Sequence, residues 1–133
     1  MTGVQTCALP ISAHGLSPAD LLEASNEGRF RPLYQSLLDQ ARAHLAAGWE
    51  YTNALPRNCR RIRLACAWPV LIGAKTLAHL RTRNALDPGQ RIKISRAEVR
   101  GVMLRSLVFH PWPGAWRKLF ERAGEAPNRP AQG

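Results

Sequence analysis

The chain has 133 residues, 45% of them hydrophobic, and its 19 Lys+Arg against 9 Asp+Glu give a formal charge of +10. That length suits one small domain and excludes a catenated two-domain enzyme. The apolar content is enough for a core, so the charge does not make the chain a disordered basic tail.

The charge is uneven. Residues 12–54 carry three basic and five acidic side chains, whereas residues 55–122 carry fifteen and three. Such basicity suits a polyanionic partner: nucleic acid, an anionic membrane surface or a phosphorylated substrate. Cys7, Cys59 and Cys66 form no CxxC pair and have no metal-ligand spacing. Cys59 and Cys66 lie two helical turns apart, about 10 Å, too far for a disulfide. A reducing cytoplasm is the expected setting. The longest apolar run, Leu64 to Ala74, has eleven residues, against the roughly 20 needed to span a bilayer. The N-terminus also lacks the basic start and apolar stretch of a signal peptide.

Met1 to Ile11, MTGVQTCALPI, shows neither helical nor alternating periodicity and no charge. Read back to DNA from a GTG start codon, it resembles a sequencing-library adapter. The expectation is that residues 1–11 are an artefact, disordered and foreign to the fold, and that the coding region upstream has been cut away. Ser17-Pro18-Ala19-Asp20 should open a helix running to about Asn26, which Gly28 ends. From Phe30 to Leu55, apolar residues recur every three or four positions at Leu33, Leu37, Leu38, Ala41, Leu45, Trp49 and Thr52. This predicts a long amphipathic helix, loosened near Gly48.

Pro56 should start the next helix, Arg57 to about Arg83, with Pro69 kinking it and freeing the carbonyl of Ala65. Its centre, Leu64–Leu80, is apolar nearly all round and needs partners on several sides. A chain this short can only partly surround it, which predicts uncovered apolar surface and aggregation of helices 13–122 on their own. Asn84 to Arg91 contains Asp-Pro-Gly and reads as a turn. Ser95-Arg96-Ala97-Glu98 makes a capping box for a helix to about Phe109. His110-Pro111-Trp112-Pro113-Gly114 breaks the chain before a short helix, Ala115 to Arg122, and residues 123–133 read as a disordered tail. With no strand pattern, the fold class is all-α.

Few residues suggest catalysis. His14, His44, His79 and His110 have no triad-like neighbours and read as exposed or core-edge side chains. Glu23 and Glu27 share a helical face, but as a solvated one. No Gly-rich phosphate loop occurs. Arg57, Arg60, Arg61 and Arg63 form a basic cluster that reads as a solvated helix end. Lys93, Arg96 and Arg100 gather around the helix start at Ser95, where backbone N–H groups add a positive field suited to phosphate or diphosphate. Trp112, Trp116 and Phe120 mark one aromatic face, for core packing or an interfacial membrane contact.

Five blocks together resemble the C-terminal part of bacterial squalene/phytoene synthases. They are AHGLSP at Ala13–Pro18, the stretch Phe30–Trp49, YTNALP from Tyr51, RRIRLACAWP at Arg60–Pro69 with LIGAKTL at Leu71–Leu77, and KISRAEV at Lys93–Val99. Coverage is about residue 13 to 109. The resemblance implies the C-terminal helices, within residues 12–122, of an incomplete isoprenoid-synthase-type bundle that joins two farnesyl or longer prenyl diphosphates head to head. It implies Mg²⁺ held by two Asp-rich helices, and NADPH if the product is squalene. No DxxxD or DDxxD occurs in this chain, so no metal ligand and no catalytic residue is assigned. The polypeptide alone is expected to be inactive.

What carries over is the cavity wall, Cys66, Pro69 and Gly73, with Tyr51 beside it, and Lys93 and Arg96 near the diphosphate or the nicotinamide. The implied partner is the prenyl diphosphate, in the cytoplasm, with peripheral contact at the inner membrane face a further expectation. The competing reading is a small basic helical module that binds nucleic acid or an anionic membrane.

Overall fold

A computed structural model describes residues 13–84, 86–89 and 93–125. The segment read as an adapter therefore lies outside the described residues, as does the tail beyond residue 125. Four α-helices account for most of the rest: α1, Glu27–Ala54; α2, Arg60–Thr82; α3, Arg96–Phe109; and α4, Pro113–Ala123. Among the described residues there is no strand, and the all-α class holds.

The helix expected over residues 17–26 is instead two 3-10 turns, Pro18–Leu22 and Ala24–Asn26. Ser17 and Asp20 do form the local cap, with the Ser17 N–H donating to Asp20 Oδ2 at 2.8 Å. The backbone then turns extended at Glu23. Neither turn has a buried residue, so no packed face sustains an α-helix there. Gly28 does not terminate anything. It lies inside α1, and the one described glycine with positive φ is Gly15.

α1 otherwise follows its apolar spacing, burying Leu33, Leu38, Trp49 and Thr52 while Leu37 stays exposed. It is not broken at Gly48. A Cβ there would come within 3.4 Å of Val70, and the Thr52 hydroxyl donates to the Gly48 carbonyl at 2.8 Å. A Cβ 3.4 Å from Val70 would be at an ordinary contact distance, so the helix packing does not depend on a glycine at this position. α2 begins at Arg60, after a turn at residues 57–58. It runs through Pro69, which with Ala65 lies on the exposed side, where water can reach the carbonyl that proline leaves unpaired.

Cross-helix contacts fix the directions. Leu45 lies against Gly73 as Gly48 does against Val70, and Arg31 donates to the Arg81 carbonyl at 3.3 Å. α1 and α2 are therefore antiparallel. Trp68 Nε1 donates to Ser106 Oγ at 2.8 Å, and His79 meets Glu98 at 2.9 Å, so α3 also runs against α2. In the turn between them, the Asn84 and Asp87 carboxamide and carboxylate each accept from the N–H two residues on, at 2.9 Å.

α4 buries Trp116, Leu119, Phe120 and Ala123, one face at helical spacing. Trp116 stacks on Trp49 with centroids 5.3 Å apart and donates from Nε1 to Asn53 Oδ1 at 2.9 Å. The core joins these residues to Leu64, Ala67, Leu71 and Ala74 of α2. The aromatic face of the last helix is thus core at Trp116 and Phe120, while Trp112 stays 59% exposed.

Candidate functional site

α2 is covered by α1, α3 and α4 on one side only. Ile62, Ala65, Pro69, Ile72 and Thr76, spaced by three and four, share its other face. Ile62 is 56% exposed, Ala65 and Pro69 are exposed, and Ile72 and Thr76 are half-buried. The only hydroxyl on this strip, on Thr76, is turned to the Ile72 carbonyl at 2.8 Å. What remains is an apolar ribbon along about four helical turns, on the order of 20 Å.

The cavity-wall residues fall around this ribbon. Pro69 lies on it, and Cys66 is half-buried beside it with a free thiol. Gly73 faces α1, where a Cβ would come within 3.1 Å of Leu45. Tyr51 is 65% exposed on α1. The antiparallel register set by the Leu45–Gly73 and Gly48–Val70 contacts brings it level with Cys66. Lys93 and Arg96 are exposed at the start of α3, which the His79–Glu98 contact holds at the C-terminal end of α2. Cys66, Pro69 and Gly73 thus lie within seven residues of one another on α2, Tyr51 stands three residues before the end of α1, and Lys93 and Arg96 form a separate basic group beyond the C-terminal end of α2. Cys66 and His79 are about 20 Å apart along α2.

That end also holds a cluster the sequence did not reveal. Glu98 Oε1 meets His79 Nε2 at 2.9 Å and Lys75 Nζ at 3.8 Å, while Oε2 accepts from the Ser95 N–H at 2.9 Å. The Ser95 N–H, aided by His79 and the Ser95 hydroxyl, holds the Glu98 carboxyl down at about 2. It is therefore an anion under all ordinary conditions, and His79, only 7% exposed, packs against it. Lys75 and His79 lie one helical turn apart, the sole trace of this in the sequence.

The basic cluster opening α2 is not uniformly solvated. Arg57, Arg60 and Arg61 are exposed, but Arg63 is 5% exposed, its guanidinium 5.1 Å above the Trp116 ring. A nonlocal aromatic neighbour buries it.

For Mg²⁺ the residues do not fit. Among the described residues no group of three His, Cys, Asp or Glu is placed to hold a metal ion. The carboxylates are scattered and mostly engaged: Glu27 with Arg31, Asp39 with Arg81, Glu98 with His79. No described helix is long and apolar enough to cross a membrane.

The described chain is thus an all-α bundle with an apolar ribbon along α2 and basic groups beyond its C-terminal end. The squalene/phytoene synthase family model matches residues 9–98, and the chain belongs to that family, whose members are prenyltransferases and generally depend on Mg²⁺. The match takes in the last three residues of the stretch read as an adapter and stops within α3. No curated protein and no solved structure matches the chain.

Proposed function

We propose that this chain supplies the apolar wall of a head-to-head prenyltransferase cavity, in which two farnesyl or longer prenyl diphosphates are joined. The observation that carries this reading is the ribbon Ile62–Ala65–Pro69–Ile72, uncovered and apolar within the segment that matches the family. Hydrocarbon lying along it would bury apolar surface on both partners, at roughly 25 cal/mol per Å². Small side chains at Ala65 and Cys66 leave room for a chain, Gly73 lets Leu45 of α1 close up beside them, and Tyr51 flanks the same level. Lys93 and Arg96, beside the first N–H groups of α3, suit diphosphate oxygens at one end of the ribbon. In this reading the residues bind, orient and keep water from the chains. None takes a covalent role.

The same proposal holds that the 133-residue polypeptide does not ionise a prenyl diphosphate. Its three aspartates, Asp20, Asp39 and Asp87, stand far apart in sequence. Three measurements test the proposal. A photoreactive farnesyl diphosphate analogue should label peptides spanning Ile62–Ile72, and Ala65→Asp should reduce that labelling about tenfold, the scale of about 1.4 kcal/mol for placing a charge against the chain. Labelling confined to other helices would overturn the wall assignment. Mg²⁺-dependent pyrophosphate release by the purified chain would overturn the inactivity. Steeply salt-dependent DNA binding would favour a basic nucleic-acid module instead.

A further inference from the structure

At the opposite end of α2 from Lys93 and Arg96, an open cleft of about 90 Å³ lies between the end of α1, the start of α2 and the start of α4. Its polar lining comes from Asn53, Arg57, Arg63, His110 and Arg117, with Trp116 beside them. We propose that this cleft binds a phosphate group, presented as a free phosphomonoester or as the headgroup of a phosphatidate-type lipid.

The lining contains no carboxylate, and nearly every polar group in it is a donor. Asn53 Oδ1 is taken by the Trp116 indole, which leaves the amide N–H₂ for the cleft. Arg57 spends one Nη on the Pro111 carbonyl at 3.0 Å and keeps its other N–H groups. α4 starts here, its N-cap Trp112 offering no side-chain acceptor, so the free N–H groups and positive dipole end of an eleven-residue helix add to the field.

The independent sign of a ligand is Arg63. Its side chain is more than nine-tenths buried, and Nε meets no acceptor among the described residues. The Trp116 ring faces the guanidinium but offers Nε no acceptor; a buried N–H left unbonded is costly, and an oxyanion drawn into the cleft would supply what it lacks. His110 Nε2 is likewise buried without a partner. Burial first, then Arg63, Arg60 and Arg57, pushes its imidazole below the usual histidine range, so it stands neutral within a cluster of cations. A bound dianion would offset most of that field.

The test is titration of the full chain with inorganic phosphate, followed by calorimetry and by the His110 ring-proton NMR signals. Saturable binding is expected, with the His110 signals shifting in step. Arg57→Gln and Arg117→Gln, both at exposed positions, should each weaken binding about tenfold, the scale of one charge-assisted hydrogen bond. Arg61→Gln removes the same charge from a neighbouring exposed site outside the lining and should stay within about twofold. Arg63→Met should abolish binding, and the two exposed variants keep the outcome legible if that protein does not fold. Vesicles of phosphatidylcholine with and without phosphatidate separate the sources. Capture only by phosphatidate vesicles, competed by phosphate and lost in Arg57→Gln and Arg117→Gln, assigns a lipid headgroup. Phosphate binding without capture assigns a soluble phosphomonoester. Absence of both, or equal weakening by Arg61→Gln, overturns the proposal.

Discussion

Glu98 does two jobs through its two oxygens: Oε2 caps α3 at Ser95, and Oε1 ties that cap to His79 and Lys75 on α2. Its proton affinity is lowered in the folded state, so its contribution is complete above the ordinary glutamate range. That contribution is lost as the pH falls from about 5 to about 2. With the side chain 28% exposed, solvent screening leaves about 1–2 kcal/mol of it. Glu98→Gln should therefore lower stability by about that amount near neutrality. Urea melts should show a flatter pH dependence for the variant across the acid window, and an unchanged slope would contradict this account.

Helix α3 shows where local chemistry is enough and where it is not. Its start was legible because Ser95 and Glu98 cap it within four residues, a pattern independent of the rest of the fold. The stretch 17–26 has an equally good local cap, yet gives only 3-10 turns because nothing packs on it. Arg63 resembles its solvated neighbours in sequence, and Trp116, a whole helix pair later, is what buries it. His79 was unreadable for the same reason. The candidate ribbon was partly legible: an apolar α2 needing more partners than the chain provides was readable, but which face stays open was not. At Gly101, inside α3, a Cβ would meet nothing within 4 Å. Gly101→Ala should accordingly stabilise the protein by about 0.5–1 kcal/mol, measured as a shift of the denaturation midpoint at constant m-value. Destabilisation would mean that α3 has a neighbour on that side.

Among the described residues, Leu22, Leu37 and Tyr51 are exposed singly, while contiguous exposed apolar side chains lie along the α2 ribbon and along α3, where Leu104, Leu107 and Val108 lead to Trp112. Scattered apolar residues are normal on protein surfaces, but contiguous ones promote association. The chain at high concentration should self-associate despite its charge of +10. Ile62→Lys combined with Leu104→Lys should shift it toward monomer in sedimentation velocity, with the melting temperature changed by no more than about 2 °C, since both side chains are more than half exposed. A wild-type chain that is monomeric and melts cooperatively would show that these surfaces need no cover.

The stacked indoles of Trp49 and Trp116 have an optical consequence. Rings 5.3 Å apart and tilted by 25° couple their excited states, and this pair forms only when the last helix seats against the first. Trp68 is fixed by its bond to Ser106 and Trp112 faces solvent, so neither shares that coupling. The ultraviolet circular dichroism of the intact chain thus contains a built-in gauge of whether its C-terminal helix has docked, readable without a label.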